Sequence, residues 1–433
     1  MSAKMSEKKG WVVTFAGLGI NLSLGVLYSW AMFADALQAN AGWSTIQTQI
    51  PYMVACAVFA FLMVPGGRLQ DKLGPKPVLL AAAALTLIGF FMSGLLMSVA
   101  GLSIFFGVVF GSAIGFGYAA TTPPAIKWFG AHKRGLISGI VVSGFGIAGI
   151  YAAPLTGYLI GEYGLQGTFY ILGIVFGAAL LLFSRFIANP PAGYVPAQPD
   201  FRTRKAGKTA CAGIDYDWRE MLRTPQFYSL WLMFCFGTFA GLLIIGQLKR
   251  IGMEQAAMTG ETAMLLVVIY AIFNFVGRIG CGVISDKFDR KMTLVGIFMV
   301  QVFCFAFFAQ FTTPLTMFIG TAFVALTFGG MLSLFPSIAC DYFGVKNMGL
   351  NYGLIFTAWG AGGVFGPLLG GITRDLTGTY TASFTVSAII SALGILLALL
   401  TRAPAEKKVV VPSTCICPSC GESINLQTGS AAG

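Results

Sequence analysis

The chain has 433 residues, of which 56% are hydrophobic and only 10% charged, and its formal net charge is +11. Water-soluble domains carry roughly 25% charged residues, so this composition excludes a soluble globular protein. The basic residues flank apolar segments, which is the charge pattern of a membrane protein and predicts no nucleic-acid partner.

Apolar segments recur along the whole chain, and a bilayer crossing needs about 20 apolar residues. The stretches without Asp, Glu, Lys or Arg are 11–34, 36–67, 77–126, 135–161, 163–184, 224–248, 262–277, 292–340, 347–373 and 376–401. Two of them, 77–126 and 292–340, are long enough for two crossings each. The sequence therefore predicts an all-α membrane protein with twelve transmembrane helices.

The distribution of basic residues predicts the orientation. Of the 27 Lys and Arg residues, all but four fall on the side of the chain termini. Three of these four, Lys249, Arg250 and Arg374, fall on the other side, and the fourth lies inside a predicted helix. By the positive-inside rule both termini are cytoplasmic, and the expected location is the cytoplasmic (inner) membrane of a bacterium. The predicted segments are a cytoplasmic N-terminus at 1–10, a six-helix bundle at 11–187, a cytoplasmic linker at 188–225, a second six-helix bundle at 226–401, and a disordered cytoplasmic tail at 402–433.

The two bundles are related by an internal repeat. The charged loop that starts at Gly67 after predicted helix 2 returns at Gly282 after predicted helix 8, an offset of 215 residues. The double-length apolar stretches start at 77 and 292, with the same offset. Glycines of predicted helix 5 return in helix 11 at an offset of 214 residues. Duplicated halves of this kind are typical of secondary transporters.

The repeated loops, 67–76 and 282–291, resemble the G-x-x-x-D-R/K-x-G-R/K-K signature of the major facilitator superfamily. This resemblance implies the major facilitator fold, with two pseudo-symmetric six-helix halves and alternating access. An acidic group at a helix end can pair with neighbouring cations or cap another helix. The predicted gating residues are Asp71, Lys72, Asp286, Lys287 and Arg290. The alternative interpretation is an ordinary charged turn.

Arg278 lies inside predicted helix 8, four residues after Asn274. A charge at membrane depth costs about 2.5–3.5 kcal/mol on insertion scales, so such residues usually have a functional purpose. All 16 acidic residues lie outside the predicted spans or at their ends. An anionic substrate can supply the missing counterion, because a guanidinium binds a carboxylate through two parallel hydrogen bonds. The alternative is a side chain that extends to the cytoplasmic surface.

The Asn274-x-x-x-Arg278 spacing resembles the Asp-x-x-x-Arg motif of the monocarboxylate transporters, with Asn in place of the Asp. Tyr28-Ser-Trp30 and Asn351-Tyr352-Gly353-Leu354 are similar to the oxalate–formate antiporter group. That group places a second cation in helix 11 for its dianion, and here the position is Trp359. One buried cation neutralises one carboxylate, so the resemblance implies a monocarboxylate as the substrate.

Further substrate-binding residues are predicted on helices that line the cavity in this superfamily. They are Tyr28, Tyr118, Tyr151, Phe335, Phe356 and Trp359. Aromatic side chains in apolar spans also serve as packing groups or interfacial anchors, which is the alternative for each of them.

The sequence thus predicts a proton-coupled symporter of small monocarboxylates of the L-lactate and pyruvate type, acting as a monomer in the lipid bilayer. A carboxylate antiporter of the oxalate–formate type is the first alternative, and a membrane carboxylate sensor or channel is another. No enzyme is predicted, because the spans contain no carboxylate or histidine. No cofactor or metal is expected, since Cys415, Cys417 and Cys420 supply fewer ligands than tetrahedral zinc requires.

Overall fold

The helices predicted from the sequence form one antiparallel bundle. The structure is a computed structural model that describes residues 3–191, 193–196, 215–404, 414–416 and 423–425. A bilayer crossing requires every backbone polar group to be paired within its own segment, and the apolar stretches accordingly form long α-helices. Eleven continuous helical segments in the described residues are long and apolar enough to cross a membrane.

The first half contains helices α1 to α6. Helix α1 continues from Ala3–Leu24 through a 3₁₀ turn, Gly25–Ser29, into Trp30–Ala41. The next two are α2, Thr45–Leu73, and α3, Pro75–Leu95. Helix α4 joins Val99–Leu102, a π-helical stretch at Ser103–Phe110, and Gly111–Ala119, and a short helix at Thr122–Lys127 follows. The segment Arg134–Ser184 contains both α5 and α6.

Helices α5 and α6 are separated at Gly164. Its φ of 67° and ψ of 178° interrupt the helical backbone, and a positive φ is accessible to glycine without the steric cost that other residues meet. The segment Arg134–Ser184 is therefore two membrane crossings. The predicted total of twelve membrane helices is confirmed for the described residues.

The second half contains helices α7 to α12. Their bounds are α7, Pro225–Gln255; α8, Gly260–Lys287; α9, Arg290–Phe307; α10, Pro314–Phe343; α11, Met348–Thr377; and α12, Thr381–Leu400. Capping residues fix several of the starts. Thr224 precedes Pro225 and accepts a hydrogen bond from the amide of Phe227, and Asp289 accepts one from the amide of Met292. Each side chain thus satisfies one of the unpaired amides of a first helical turn.

The outer surface of the bundle is apolar. Large side chains such as Phe61, Ile174 and Phe303 are 71%, 63% and 64% exposed. Such a surface is unfavourable in water and favourable against lipid hydrocarbon. Together with the length of the helices, it shows a multi-pass membrane protein.

The two halves meet along two helix pairs, α5 with α8 and α2 with α11. Glycines allow the backbones to touch. A Cβ added to Gly135 would lie 2.3 Å from the carbonyl oxygen of Gly282, and one added to Gly67 would lie 2.0 Å from that of Gly349. Small residues allow close helix approach in membranes. The 215-residue repeat thus places equivalent glycine contacts on the two sides of the interface.

Half of the linker and most of the tail lie outside the described residues. At the end of the linker, the backbone amide of Tyr216 donates a hydrogen bond to the carbonyl of Phe343 in the second half. The basic cluster at 202–208 falls outside the described residues. In the tail, two short antiparallel strands, β1 at Thr414–Ile416 and β2 at Ser423–Asn425, pair with Cys415 opposite Ile424. The predicted disorder of the remaining tail residues concerns positions that are not described.

Candidate functional site

Arg278 lies between the two halves and is 1% exposed. Its Nε donates a 2.9 Å hydrogen bond to Oδ1 of Asn274, one turn earlier on α8. Its Nη1 donates to the carbonyl oxygen of Val142 on α5, in the other half of the protein. These two bonds fix the plane of the guanidinium and join the halves at the level of this residue.

Glycines make room for α8 on both sides. A Cβ on Gly146 of α5 would lie 2.9 Å from Nε of Arg278, and one on Gly139 would lie 2.3 Å from the Arg278 carbonyl oxygen. A Cβ on Gly329 of α10 would lie 2.2 Å from the carbonyl oxygen of Asn274. The backbone positions around Arg278 therefore admit no side chain without displacement of the guanidinium or of its helix.

Two tyrosine hydroxyls also interact with Arg278. The phenol groups of Tyr28 on α1 and Tyr118 on α4 both interact electrostatically with the guanidinium. The guanidinium can donate up to five hydrogen bonds, and each tyrosine hydroxyl can donate one in return. An anion placed here would accept from all three groups.

No carboxylate pairs with Arg278 among the described residues. The ion pairs that the structure contains involve other cations and lie at the ends of the helices. A buried charge without a counterion is costly. The geometry therefore suits an anionic ligand that supplies the missing negative charge.

An aromatic wall lies beside the tyrosine hydroxyls. Phe59 of α2 is at its centre, with ring centroids 5.5 Å from Tyr118, 5.9 Å from Phe145, 5.2 Å from Phe356 and 5.2 Å from Trp359. The rings of Phe356 and Trp359 on α11 stack at 5.3 Å. The predicted residues Tyr118, Phe356 and Trp359 are thus brought together, and Phe59 and Phe145 are additional members that the sequence did not indicate.

Phe335 and Tyr151 lie further from the guanidinium. Phe335 stacks on Phe234 at 4.3 Å, and Phe234 in turn lies 6.0 Å from Phe356. Phe335 therefore packs against the aromatic wall indirectly, through Phe234. The hydroxyl of Tyr151 donates a 2.7 Å hydrogen bond to the carbonyl of Leu22, so it ties α5 to α1 and is not directed at Arg278.

The two predicted gating aspartates each cap a helix of the opposite half. Asp286 at the end of α8 accepts hydrogen bonds from the amides of Gly135 and Leu136, at 2.8 and 2.7 Å, at the start of α5. Asp71 on α2 accepts a 2.9 Å hydrogen bond from the amide of Leu350 at the start of α11. Both aspartates place a negative charge at the positive end of a helix dipole.

Of the cations predicted at this end, Arg290 pairs with an aspartate, and two further basic residues also take part. Arg290 pairs with Asp286 at 3.2 Å and also with Asp341, which binds Arg134 of the first half at 2.8 Å. Asp71 pairs with Lys127 at 3.5 Å.

The two adjacent lysines of the signature, Lys72 and Lys287, are exposed. They have no ion pair among those that the described residues form. The cations that pair at this end are Lys127 with Asp71, Arg290 with Asp286, and Arg134 and Arg290 with Asp341.

These contacts close one end of the bundle, which we call the basic end and define by Arg134, Lys127 and Arg290. At the opposite end, Arg374 of α11 binds Glu254 of α7 through hydrogen bonds of 2.9 and 3.1 Å. These hydrogen bonds hold the pKa of Glu254 below its usual range. Both residues belong to the second half, so this ion pair does not join the halves. Among the described residues, one ion pair crosses between the halves, that of Arg134 with Asp341, and it lies at the basic end.

Asp286→Asn should lower the maximal rate of transport about tenfold and change KM less, because the substitution removes a charge from the network that closes the basic end without touching the ligand. Asp71→Asn should have a smaller effect, since Asp71 has a single, longer ion pair. Initial uptake rates at several substrate concentrations measure both parameters. Asp289→Asn is the matched control, because Asp289 caps only its own helix and Asn caps equally well. A change of KM with the maximal rate intact would argue against a gating role.

The site contains no obvious metal position. Among the described residues, no group of three or more His, Cys, Asp or Glu side chains is arranged to hold a metal ion. The chemistry that Arg278, Asn274, Tyr28 and Tyr118 supply is reversible hydrogen bonding to an anion.

Comparisons with known proteins agree with this architecture. The model of the Major Facilitator Superfamily matches residues 11–253 and 251–414. The chain is 30% identical over 355 residues to an oxalate:formate antiporter from Oxalobacter formigenes, which covers 80% of each protein. It is 24% identical over 386 residues to monocarboxylate transporter 13 of Rattus norvegicus, which covers 84% of this chain and 82% of the relative.

A solved structure shows the same fold. The human organic anion transporter MFSD10 (TETRAN) superposes with a TM-score of 0.65 at 16% identity, over 90% of this chain and 99% of that one. The family match extends over both six-helix halves. The chain belongs to the major facilitator superfamily, and it is a membrane transporter and not an enzyme.

Proposed function

We propose that this transporter carries small monocarboxylates of the L-lactate and pyruvate type by proton-coupled symport, with the substrate carboxylate bound to Arg278. The observation that carries the proposal is the guanidinium of Arg278, which is buried between the halves and has no carboxylate partner in the described residues. The hydroxyls of Tyr28 and Tyr118 complete the carboxylate site, and Phe59, Phe356 and Trp359 contact the apolar part of the substrate.

The size and charge of the site favour one carboxylate. Trp359 occupies the position where resemblance to the oxalate–formate group implies a second cation, and its ring packs 5.2 Å from Phe59 and 5.3 Å from Phe356. A second carboxylate placed against these rings would lose its hydration without gaining a counterion. A methyl group there would gain apolar contact instead.

We assign the basic end to the cytoplasm of a bacterial inner membrane, as the positive-inside rule predicts. The cross-half contacts of Asp71 and Asp286 then close the cytoplasmic side. Opening that side requires both caps to break, while the opposite side closes around the substrate. The protein works as a monomer in this scheme, because each chain contains a complete site.

Proton coupling follows from the charge of the empty site. With the substrate anion bound, Arg278 is neutralised, whereas the empty site carries its positive charge through the membrane. Asn274 cannot take up a proton to change this balance. We propose that a proton enters with the substrate anion through the hydrogen-bond network of Tyr118 and Asn274, so that the two together carry no net charge.

Uptake into proteoliposomes that are alkaline inside and contain buffer alone tests the coupling. We expect labelled lactate to accumulate and an uncoupler to collapse the accumulation, because inward movement of the proton drives that of the anion. The measurement is the ratio of internal to external lactate. A parallel set of proteoliposomes preloaded with formate or lactate serves as the control.

Anion exchange is the second candidate, and two observations favour it. Asn274 stands where the monocarboxylate transporters have an acid, and a relative with 30% identity is an oxalate:formate antiporter. In exchange, a second anion returns on Arg278 in place of the proton. Uptake that appears only in the preloaded proteoliposomes would establish exchange and overturn symport.

A further inference from the structure

Tyr52, Cys56 and Phe59 lie on one face of α2. Their spacing of four and three residues places them on successive turns of the same side of a helix. Phe59 belongs to the aromatic wall, so Tyr52 and Cys56 continue this face from the wall toward the end opposite the basic end. Neither residue has a role in the site described above.

Tyr52 and Cys56 form a polar pair next to the carboxylate site. Tyr28 adjoins this face of α2, because its ring lies 5.1 Å from Phe145, which lies 5.9 Å from Phe59. Cys56 and Tyr52 interact electrostatically with each other and with Tyr28, and Tyr28 with Arg278. The order along this part of the interior is therefore Arg278, Tyr28 and then the Cys56–Tyr52 pair.

The pair is only partly buried. Tyr28, Tyr52 and Cys56 are half-buried, whereas their neighbours Ala55 and Phe59 are 0% and 1% exposed. A thiol and a phenol are neutral groups that can each donate and accept a hydrogen bond. Such a pair suits a neutral oxygen, either a hydroxyl or a carbonyl, and gives no charge compensation to a second carboxylate.

We propose that Tyr52 and Cys56 recognise the oxygen on the carbon next to the substrate carboxylate, and so select 2-hydroxy and 2-oxo acids over simple fatty acids. The inference rests on the proposed function, because it needs the carboxylate on Arg278. The substrate is then held at two points, the carboxylate by Arg278 and Tyr28 and the 2-oxygen by the pair. Sites that hydrogen-bond a substrate hydroxyl reject analogues that lack it, because the polar groups of the site are left unpaired.

The test compares labelled L-lactate with labelled propionate, which lacks the 2-oxygen, in proteoliposomes of the full chain. We expect Cys56→Val and Tyr52→Phe each to raise the KM for lactate about 5- to 10-fold, the range of a lost hydrogen bond. The KM for propionate and the maximal rates should change less than about twofold. Cys304→Val, a change of a buried cysteine on α9, should alter neither substrate, and Cys56→Ser should keep the preference for lactate.

Each outcome decides the proposal. An equal shift of both KM values, or an unchanged ratio of the two in both variants, would overturn the role of the pair while the carboxylate site stands. Tyr52→Phe removes a single oxygen and keeps the ring. This variant therefore still tests the proposal if the Cys56→Val protein does not insert into the membrane. If the unsubstituted protein carries neither acid, the proposed function fails and this inference fails with it.

Discussion

Arg278→Ala should reduce monocarboxylate uptake by at least about a hundredfold. Removal of one partner of a buried, hydrogen-bonded charge pair costs about 2–5 kcal/mol, and about 2.7 kcal/mol corresponds to a hundredfold loss. Since Arg278 supplies the only counterion that the described site offers, the substrate would have to enter an apolar space as a bare anion. The measurement is the initial rate of labelled lactate uptake, normalised to the amount of protein in the membrane.

Arg278→Lys separates charge from geometry. A lysine keeps the positive charge but cannot form the two parallel hydrogen bonds, nor hold both Asn274 and Val142 as Nε and Nη1 do. We expect it to recover little of the activity. Arg250→Ala is the control, because Arg250 is exposed and pairs with Glu254 within α7. Full activity of the Arg278→Ala protein would exclude Arg278 from the substrate site.

Gly146→Ala should lower uptake about 10- to 100-fold although it adds a single methyl group. The new Cβ would lie 2.9 Å from Nε of Arg278, so the flexible end of the side chain has to move. This movement breaks the alignment of the guanidinium with Asn274 and Val142, and a misplacement of about 1 Å at a functional group can cost a hundredfold in rate. Uptake rates across substrate concentrations should show the loss mainly in KM.

Gly149→Ala is the matched control for this prediction. It lies one turn further along the same helix, and its Cβ would be 3.7 Å from that of Ala271, which is an ordinary contact. We expect uptake close to that of the unsubstituted protein. Equal losses in the two variants would show that α5 tolerates no added volume, and would remove the specific link between Gly146 and the guanidinium.

The features that depend on local sequence were predictable. Charge-free stretches gave the membrane helices, and the four-residue spacing of Asn274 and Arg278 implied neighbours on one helix face, as the 2.9 Å hydrogen bond shows. Gly164 ends one helix and begins the next because its positive φ suits a glycine. The repeat placed Asp71 and Asp286 at equivalent helix ends.

The partners across the two halves were not predictable from spacing. Arg134 of α5 and Asp341 of α10 are distant in sequence, and only the packing of the two halves brings them together. Lys127 and Asp71 are also distant in sequence, although both belong to the first half. The prediction that Lys72 and Lys287 take part stays untested, and their exposed position gives it no support.

The direction of each side chain in the helix bundle was also not predictable from the sequence. The sequence places Tyr118 and Tyr151 in apolar helices alike, yet Tyr118 interacts electrostatically with Arg278, whereas the hydroxyl of Tyr151 donates to the backbone of α1. Phe59 and Phe145 had no local pattern that separates them from ordinary packing residues. Their place in the aromatic wall depends on which side of each helix faces the interface, and the apolar pattern along a membrane helix carries little of that information.

The central claim is that a single buried cation binds a single carboxylate. Competition in proteoliposomes tests it most directly: uptake of labelled L-lactate is measured with increasing unlabelled pyruvate or oxalate outside. We predict saturable lactate uptake that pyruvate inhibits at concentrations similar to the KM for lactate, and that oxalate inhibits at least about tenfold less well, because its second charge meets Trp359 and Phe59 without a counterion. Absence of lactate uptake, with oxalate carried instead in exchange for formate, would contradict the claim.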